Sequence, residues 1–258
     1  GGYGQSDAIA SLTGSSDGGE SAGGGDFDGD GLADLLSPYG SYVALAHGGD
    51  LNGGAVIDMS DLPSVWGSMN TGFGNHTGVV HDLDGDGYDE ALVSAPFTSP
   101  ANQEEGTVFL VDGDEFPADG GSASDLARIQ FHGAEKCGTL VGMNQSGDFD
   151  RDGTQDIVVS QAFIPTSCSP TSNPINAKTH VFYGGDLQDG SYLSSEGGSF
   201  FSSRYERDGL GIGIDVHDVD GDGDDDLAVG APFYNEFVLP DAGVSLNYGY
   251  SMFFLSEL

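Results

Sequence analysis

A nine-residue acidic pattern occurs four times in this chain and constrains its fold more than any other feature. Each copy has Asp at positions 1, 3 and 5, Gly at position 6, and Asp or Glu at position 9; the copies span residues 26–34, 82–90, 148–156 and 218–226. We call them acidic loops 1 to 4. Their first residues, Asp26, Asp82, Asp148 and Asp218, lie 56, 66 and 70 positions apart. This spacing indicates one supersecondary unit that is used repeatedly.

Short apolar runs flank every acidic loop and predict β-strands. A glycine-rich stretch precedes each loop, and an apolar run with a turn follows it, as at 91–96 and 227–232. Third strands are predicted at 42–46, 107–111, 179–183 and 250–254, and fourth strands at 55–57, 127–131 and 199–201. Antiparallel units of this kind, repeated around an axis, form a β-propeller. We therefore expect an all-β fold, a propeller with four blades of four antiparallel strands.

The predicted domain is one propeller over residues 1–258, with units at about 15–59, 72–132, 137–203 and 209–255. The last unit has three predicted strands, while the strand predicted at 8–13 has no complete unit before it. The chain thus has one extra predicted strand before the first unit and one strand too few in the last unit. We expect the N-terminal strand to complete the last blade, within the same chain or in a neighbouring copy that receives it by strand addition.

The acidic loops carry the ligand set of a hard cation. We predict that carboxylates at positions 1, 3, 5 and 9 and the backbone carbonyl at position 7 converge. Calcium takes six to eight oxygen ligands, whereas magnesium demands a tighter octahedron. About four bound Ca²⁺ are expected. The predicted ligands are Asp26, Asp28, Asp30, Leu32 and Asp34; Asp82, Asp84, Asp86, Tyr88 and Glu90; Asp148, Asp150, Asp152, Thr154 and Asp156; and Asp218, Asp220, Asp222, Asp224 and Asp226.

Two alternatives to such a site are weaker. An EF-hand needs a bidentate Glu at position 12 and flanking helices, but position 12 is Ser37, Val93, Val159 or Val229, and the downstream runs are strand-like. Acidic turns without a metal would bring several carboxylates together with nothing to offset their repulsion. Calcium binding therefore explains the recurrence best.

Three details within the loops complete the prediction. The apolar residues at position 2, Phe27, Leu83, Phe149 and Val219, are expected to anchor the loops in the core. Arg151 replaces Gly at position 4 of loop 3 and is expected to point outward without ligating. Glu90 is long enough to bind a cation with both oxygens.

The charge of the chain excludes several partners. There are 6 Lys and Arg against 42 Asp and Glu, for a formal net charge of −36. Phosphate backbones and anionic lipid surfaces would be repelled, so nucleic acid is excluded as a partner. No apolar run approaches the roughly 18 residues that a transmembrane helix needs, and no transmembrane segment is expected.

The two cysteines, Cys137 and Cys168, bracket acidic loop 3. If the strands on either side of that loop form a hairpin, the cysteines meet at its open end. We predict a disulfide there, and hence an oxidising, extracellular environment.

The acidic loops, each followed by a Gly-Ala-Pro-like turn, resemble the FG-GAP repeats of integrin α-subunit propellers and related secreted proteins. The resemblance covers nearly the whole chain. It departs from the family in two respects: integrin-type propellers have seven blades, and the first unit reads Ser37-Pro38-Tyr39 in place of the usual turn.

The resemblance implies a secreted, extracellular or cell-surface module that binds calcium and is not an enzyme. Its function would be adhesion, interaction or structural, including assembly into a filament, and its partners an extracellular protein, a glycan, or copies of itself. The alternatives are a carbohydrate-binding lectin and an enzyme domain that acts on polysaccharide or phospholipid. No catalytic constellation supports the enzyme, and the single tryptophan, Trp66, offers few platforms for sugar stacking.

Overall fold

The computed structural model describes residues 10–14, 22–99, 104–140, 145–161, 177–203 and 208–232, with short backbone segments at 237–238, 245–246 and 250–254. The described residues form several mostly antiparallel β-sheets, short 3-10 turns and one four-residue α-helix, α1 (Ala123–Leu126). This confirms the all-β prediction. None of the described helices has the length and apolar character to cross a bilayer.

Four sheets share one arrangement. In each of them the first, second, third and, where described, fourth strands lie side by side in that order, each antiparallel to the one before. The first strands are β2 (Ala22–Gly23), β7 (Thr77–Val80), β12 (Gln145–Gly147) and β17 (Gly213–His217). The second strands are β3 (Leu35–Tyr39), β8 (Glu90–Ala95), β13 (Asp156–Gln161) and β18 (Asp226–Ala231). The third strands are β4 (Tyr42–Ala46), β9 (Thr107–Asp112), β14 (Lys178–Phe182) and β21 (Tyr250–Phe254). Fourth strands described in three sheets are β6 (Ser64–Trp66), β11 (Ile129–His132) and β16 (Ser199–Ser202).

The sheets pack face to face in chain order, which explains their continuous apolar second strands. In β8, Ala91 and Val93 join the core shared with the first sheet, while Leu92 joins the core shared with the third. In β13, Val159 faces the second sheet and Val158 the fourth. Successive side chains of a strand point to opposite faces, so a strand covered on both faces is apolar throughout.

Short edge strands connect neighbouring sheets. Between the third and fourth strands, the chain forms an extra strand between helical turns: β5 (Ala55–Asp58), β10 (Gly121–Ser122) and β15 (Gly190–Leu193). Strand β10 pairs in parallel with β6, and β15 pairs in parallel with β11, so each joins the fourth strand of the preceding sheet. Strand β5 pairs in parallel with β1 (Ala10–Thr13). The remaining strands, β19 (Phe237–Val238) and β20 (Ser245–Leu246), form a hairpin.

The predicted fourth strand of the first unit, 55–57, is wrong. Those residues lie in β5, whereas the strand hydrogen-bonded to β4 is β6. Val56 is 73% exposed while Val65 of β6 is fully buried. Both segments are apolar, and the sequence alone does not distinguish the edge strand from the strand that packs in the core.

The first strands of all four sheets contribute to one cavity of about 470 Å³. Its lining includes Gly23, Thr77, Gln145 and Asp215, one from each first strand. The acidic loops connect these first strands to the second strands, so the loops lie next to this cavity.

Candidate metal centre

Acidic loop 1 is a turn held by its own carboxylates. Asp26 accepts hydrogen bonds from the backbone N–H groups of Asp30 (3.1 Å) and Gly31 (2.8 Å). Asp28 Oδ1 accepts from Asp30 N at 3.1 Å, and Asp30 Oδ1 accepts from Leu32 N at 2.8 Å. The backbone bonds at positions 3 and 5 therefore end on Oδ1, which leaves Oδ2 of each carboxylate for another partner.

The same bonds recur in the other loops. The carboxylate at position 1 bonds the N–H of position 6, that at position 3 bonds the N–H of position 5, and that at position 5 bonds the N–H of position 7. The pairs are Asp82–Gly87, Asp84–Asp86 and Asp86–Tyr88; Asp148–Gly153, Asp150–Asp152 and Asp152–Thr154; and Asp218–Gly223, Asp220–Asp222 and Asp222–Asp224. The repeated sequence pattern therefore produces the same backbone turn in all four loops.

The carboxylate at position 9 has a structural role that the sequence does not reveal. Asp34 and Asp156 are 2% and 0% exposed. Asp156 accepts from Phe149 N (2.9 Å) in its own loop and from Gly184 N (2.9 Å) in the turn after the third strand. Asp34 bonds the equivalent groups of its own sheet. Both oxygens of Glu90 lie within 3.2 Å of Leu83 N, and Asp226 accepts from Val219 N at 2.9 Å.

The position-2 anchors differ among the loops. Phe27 and Phe149 are 0% and 1% exposed, as predicted, and Leu83 is partly buried against the core between the second and third sheets. Val219 is 59% exposed, so the prediction is wrong for loop 4. There the backbone N–H of Val219, rather than its side chain, fixes the loop through Asp226.

Carboxylate oxygens converge closely enough to share one cation. In each of three groups, one oxygen per residue lies within 4.8 Å of the others: Asp26 with Asp28 and Asp30, Asp82 with Asp84 and Asp86, and Asp148 with Asp150 and Asp156. Two ligands of one calcium, each at about 2.3–2.6 Å, are at most about 5 Å apart. The donor set is all oxygen, and the separations fit calcium.

Burial disfavours the ionised form of several carboxyls at these sites. Burial raises the pKa of Glu90 to about 8 and the pKa of Asp156 to about 6. Burial also raises the pKa of Asp112, which faces Glu90 across the β8–β9 ladder, to about 6. A bound cation would stabilise the ionised forms and reverse these shifts.

Basic side chains contact carboxylate oxygens of predicted ligands in three of the loops, an arrangement that sequence analysis missed. His47 Nδ1 is 3.1 Å from Asp28 Oδ2 in loop 1. Arg128 forms an ion pair with Asp84 Oδ2 in loop 2 and also contacts Asp112 at 3.4 Å. These bases are distant from the loops in sequence, and no local pattern identifies them.

The interpretation of Arg151 needs correction. Its guanidinium does not simply point outward but lies 3.3 Å from Asp222 and 2.7 Å from Asp224, both in acidic loop 4. Loops 3 and 4 are therefore joined by a side chain that loop 3 supplies.

The residue at position 8 links neighbouring loops in a second way, through hydrogen bonds. Asp89 of loop 2 accepts a hydrogen bond from the backbone of Asp26 in loop 1, and Asp225 of loop 4 accepts one from Asp148 in loop 3. Position 8 is otherwise Ala33 or Gln155. Because this position varies, the repeat does not identify it as functional.

The described residues include only one of the two cysteines, so they do not test the predicted disulfide. Cys137 is 1% exposed, and the described residues contain no free cysteine. Cys168 lies outside the described residues, so the pairing stays a prediction.

Comparisons with known proteins agree with the loop geometry. The family model described as "FG-GAP repeat" matches residues 73–111 and 211–247, which contain acidic loops 2 and 4. Integrin alpha-PS2 of Drosophila melanogaster is 27% identical over 147 residues, which cover 54% of this chain and 10% of the fly protein. The chain therefore contains FG-GAP repeats in two places and is weakly homologous to integrin alpha-PS2.

Proposed function

We propose that this chain is a calcium-stabilised, extracellular interaction module. The FG-GAP repeats and the likeness to an integrin α subunit point to a non-enzymatic, adhesion-type domain. The observation that carries the calcium proposal is the convergence of carboxylate oxygens in the acidic loops. Calcium there would offset the repulsion among loop carboxylates in a chain of net charge −36.

We also propose that the four sheets form a closed propeller completed by β1. Strands β10 and β15 each pair in parallel with the fourth strand of the preceding sheet. Strand β5 is their equivalent in the first unit of the chain, and its partner is β1. By this internal comparison β1 occupies the place of a fourth strand, and the sheet of β17, β18 and β21 is the one in which a fourth strand is not described.

Removal of residues 1–14 tests the closed propeller. We expect the shortened chain to melt at a lower temperature, and a synthetic peptide of residues 8–14 to restore part of the loss. An unchanged melting temperature would contradict closure by β1. If the shortened chain remains a stable monomer but no longer polymerises, β1 is instead exchanged between copies.

An aromatic pocket marks a candidate partner surface. A cavity of about 560 Å³ is lined by Tyr39, Tyr42, Trp66 and Met69. It lies at the ends of β3 and β4 opposite acidic loop 1. Tyr39 and Tyr42 stack with ring centroids 5.3 Å apart, while Trp66 is 41% and Met69 80% exposed. Exposed aromatic rings of this kind are typical of interfaces.

The pocket favours a glycan as the second candidate partner, because aromatic faces are suited to stacking on sugar rings. Trp66 contributes a ring beside two tyrosines, which makes a larger platform than one tryptophan suggests. Screening a glycan array with the wild type and Trp66→Ala tests this: loss of a wild-type signal in the variant supports a glycan site, and no signal with either protein contradicts it.

Chelation tests the calcium proposal. A ligand that binds only the folded state stabilises it by about 2.7 kcal/mol per site at a hundredfold excess over Kd. We expect the melting temperature to fall on exhaustive chelation and to recover on addition of calcium, with magnesium less effective. No change on chelation would contradict the proposal.

A further inference from the structure

Arg151 occupies a backbone position that favours glycine. Position 4 of the other acidic loops is Gly29, Gly85 or Gly221, with φ of 71°, 77° and 83°. Arg151 has φ of 65° at the same position. Left-handed backbone is unfavourable for a residue with a Cβ atom, and such a residue persists where the surrounding structure holds it.

The ion pairs of the Arg151 side chain show what holds its backbone in this conformation. Arg151 Nη2 lies 2.7 Å from Asp224 Oδ2 and 3.3 Å from Asp222 Oδ2. Asp222 is position 5 of acidic loop 4, one of the predicted calcium ligands. The Arg151 side chain is 47% exposed, so burial in the core does not explain its presence. Its described ion pairs place a positive charge against a predicted ligand oxygen.

We propose that Arg151 is a resident cation of acidic loop 4, by which we mean a positive charge of the protein that competes with calcium for Asp222. The inference rests on the proposed calcium binding and goes beyond it, because it makes the four sites unequal. Calcium that enters loop 4 must either displace the guanidinium from Asp222 or bind beside it. Both alternatives weaken calcium binding at this loop.

The size of the effect follows from Coulomb's law. A doubly charged ion and a guanidinium a few ångströms apart at an exposed site repel each other, and salt reduces this repulsion. We expect removal of the Arg151 charge to tighten binding at loop 4 about three- to tenfold at moderate ionic strength, with a smaller change at high salt.

A terbium reporter at loop 4 makes the test specific to that site. Val219 is exposed and belongs to loop 4, so Val219→Trp places an indole beside it. Terbium replaces calcium at oxygen sites, and a nearby indole sensitises its emission. The emission that Val219→Trp adds to that of the parent chain reports loop 4. This added emission is titrated in three proteins. The first carries Val219→Trp alone, the second adds Arg151→Gly, and the third adds the charge-retaining Arg151→Lys.

The expected result is a half-saturating terbium concentration three- to tenfold lower with Arg151→Gly and within about twofold of the single variant with Arg151→Lys. Calcium should displace the terbium with the same ranking. An unchanged value for Arg151→Gly would overturn this inference alone. Absence of saturable binding by calorimetry in the wild type would overturn the proposed function together with it.

Discussion

The carboxylate of Asp89 accepts a 2.7 Å hydrogen bond from the backbone N–H of Asp26, and this bond joins acidic loop 2 to acidic loop 1. The backbone N–H of Asp89 in turn donates to Asp26 O at 3.0 Å. Asp225 and Asp148 make the equivalent side-chain bond at 3.1 Å between loops 4 and 3. The loops are thus linked in two pairs, so that the first predicted ligand residue of one loop is held by its neighbour.

Substitution of Asp89 should destabilise the protein. A hydrogen bond to a charged group contributes about 1.5–3 kcal/mol, and Asp89→Ala also removes the contact with His81 (3.0 Å). We expect a loss of about 1.5 kcal/mol in unfolding free energy. Asp125→Ala, at an exposed position of α1, is the matched control and should change stability by less than about 0.5 kcal/mol. Equal stability of the two variants would refute the link.

Removal of Arg128 should be more severe, and more so without calcium. The Arg128 side chain is 14% exposed and forms ion pairs with Asp84 and Asp112. Breaking a largely buried pair costs about 3–5 kcal/mol because a charge is left uncompensated. We expect Arg128→Ala to lose about 3 kcal/mol in chelator and less at saturating calcium, where a bound ion neutralises Asp84. Chemical denaturation under both conditions measures this, and an identical loss in both would contradict it.

The stability of the fold should depend on pH through His180. Burial, with a smaller contribution from Lys178, lowers the pKa of His180 to about 4, although Glu135 acts in the opposite direction. Below about pH 6.5 the unfolded chain binds a proton that the folded protein does not. Stability from this residue is therefore complete above pH 6.5 and is lost as the pH falls toward 4, by about 2 kcal/mol at pH 5.

His180→Phe isolates that contribution, because His180 is 4% exposed and contacts the ring of Phe200. The difference in unfolding free energy between the variant and the wild type should grow as the pH falls from 7.5 to 5. Parallel curves for the two proteins would show that His180 is not responsible.

The Cys137–Cys168 disulfide is open to direct chemical test. The chain has two cysteines, so non-reduced peptide mapping should recover one linked pair. Closing a loop of this size contributes about 3.7 kcal/mol in the chain-entropy model, and reduction should lower the melting temperature. Two free thiols in the purified, non-reduced protein would rule the bond out.

The sequence predicted those parts of the molecule that recur. Carboxylates at positions 1, 3 and 5 determine the loop backbone in all four copies through bonds to N–H groups within the loop, so they are local and visible as a pattern. Ala91 and Val93 pack in one core and Leu92 in the other, and this alternation follows from strand geometry in the same way.

What the sequence did not predict depends on contacts between residues that lie far apart in the chain. Arg128 reaches Asp84 across 44 positions, and Arg151 reaches Asp222 across 71. Strand β5 was mistaken for a fourth strand because its apolar composition resembles that of β6, and only packing distinguishes them. Each of these contacts occurs once in the chain, so no repeated spacing in the sequence could predict it.

Calcium titration of the chelator-stripped protein by isothermal calorimetry measures directly how many acidic loops bind calcium. We expect saturable binding of four calcium ions per chain, one per acidic loop, with weaker binding at loop 4 because of Arg151. Sites in extracellular modules often have dissociation constants of about 10⁻⁴–10⁻³ M, so the titration must extend to millimolar calcium. Fewer than two bound ions per chain at that concentration would contradict the account.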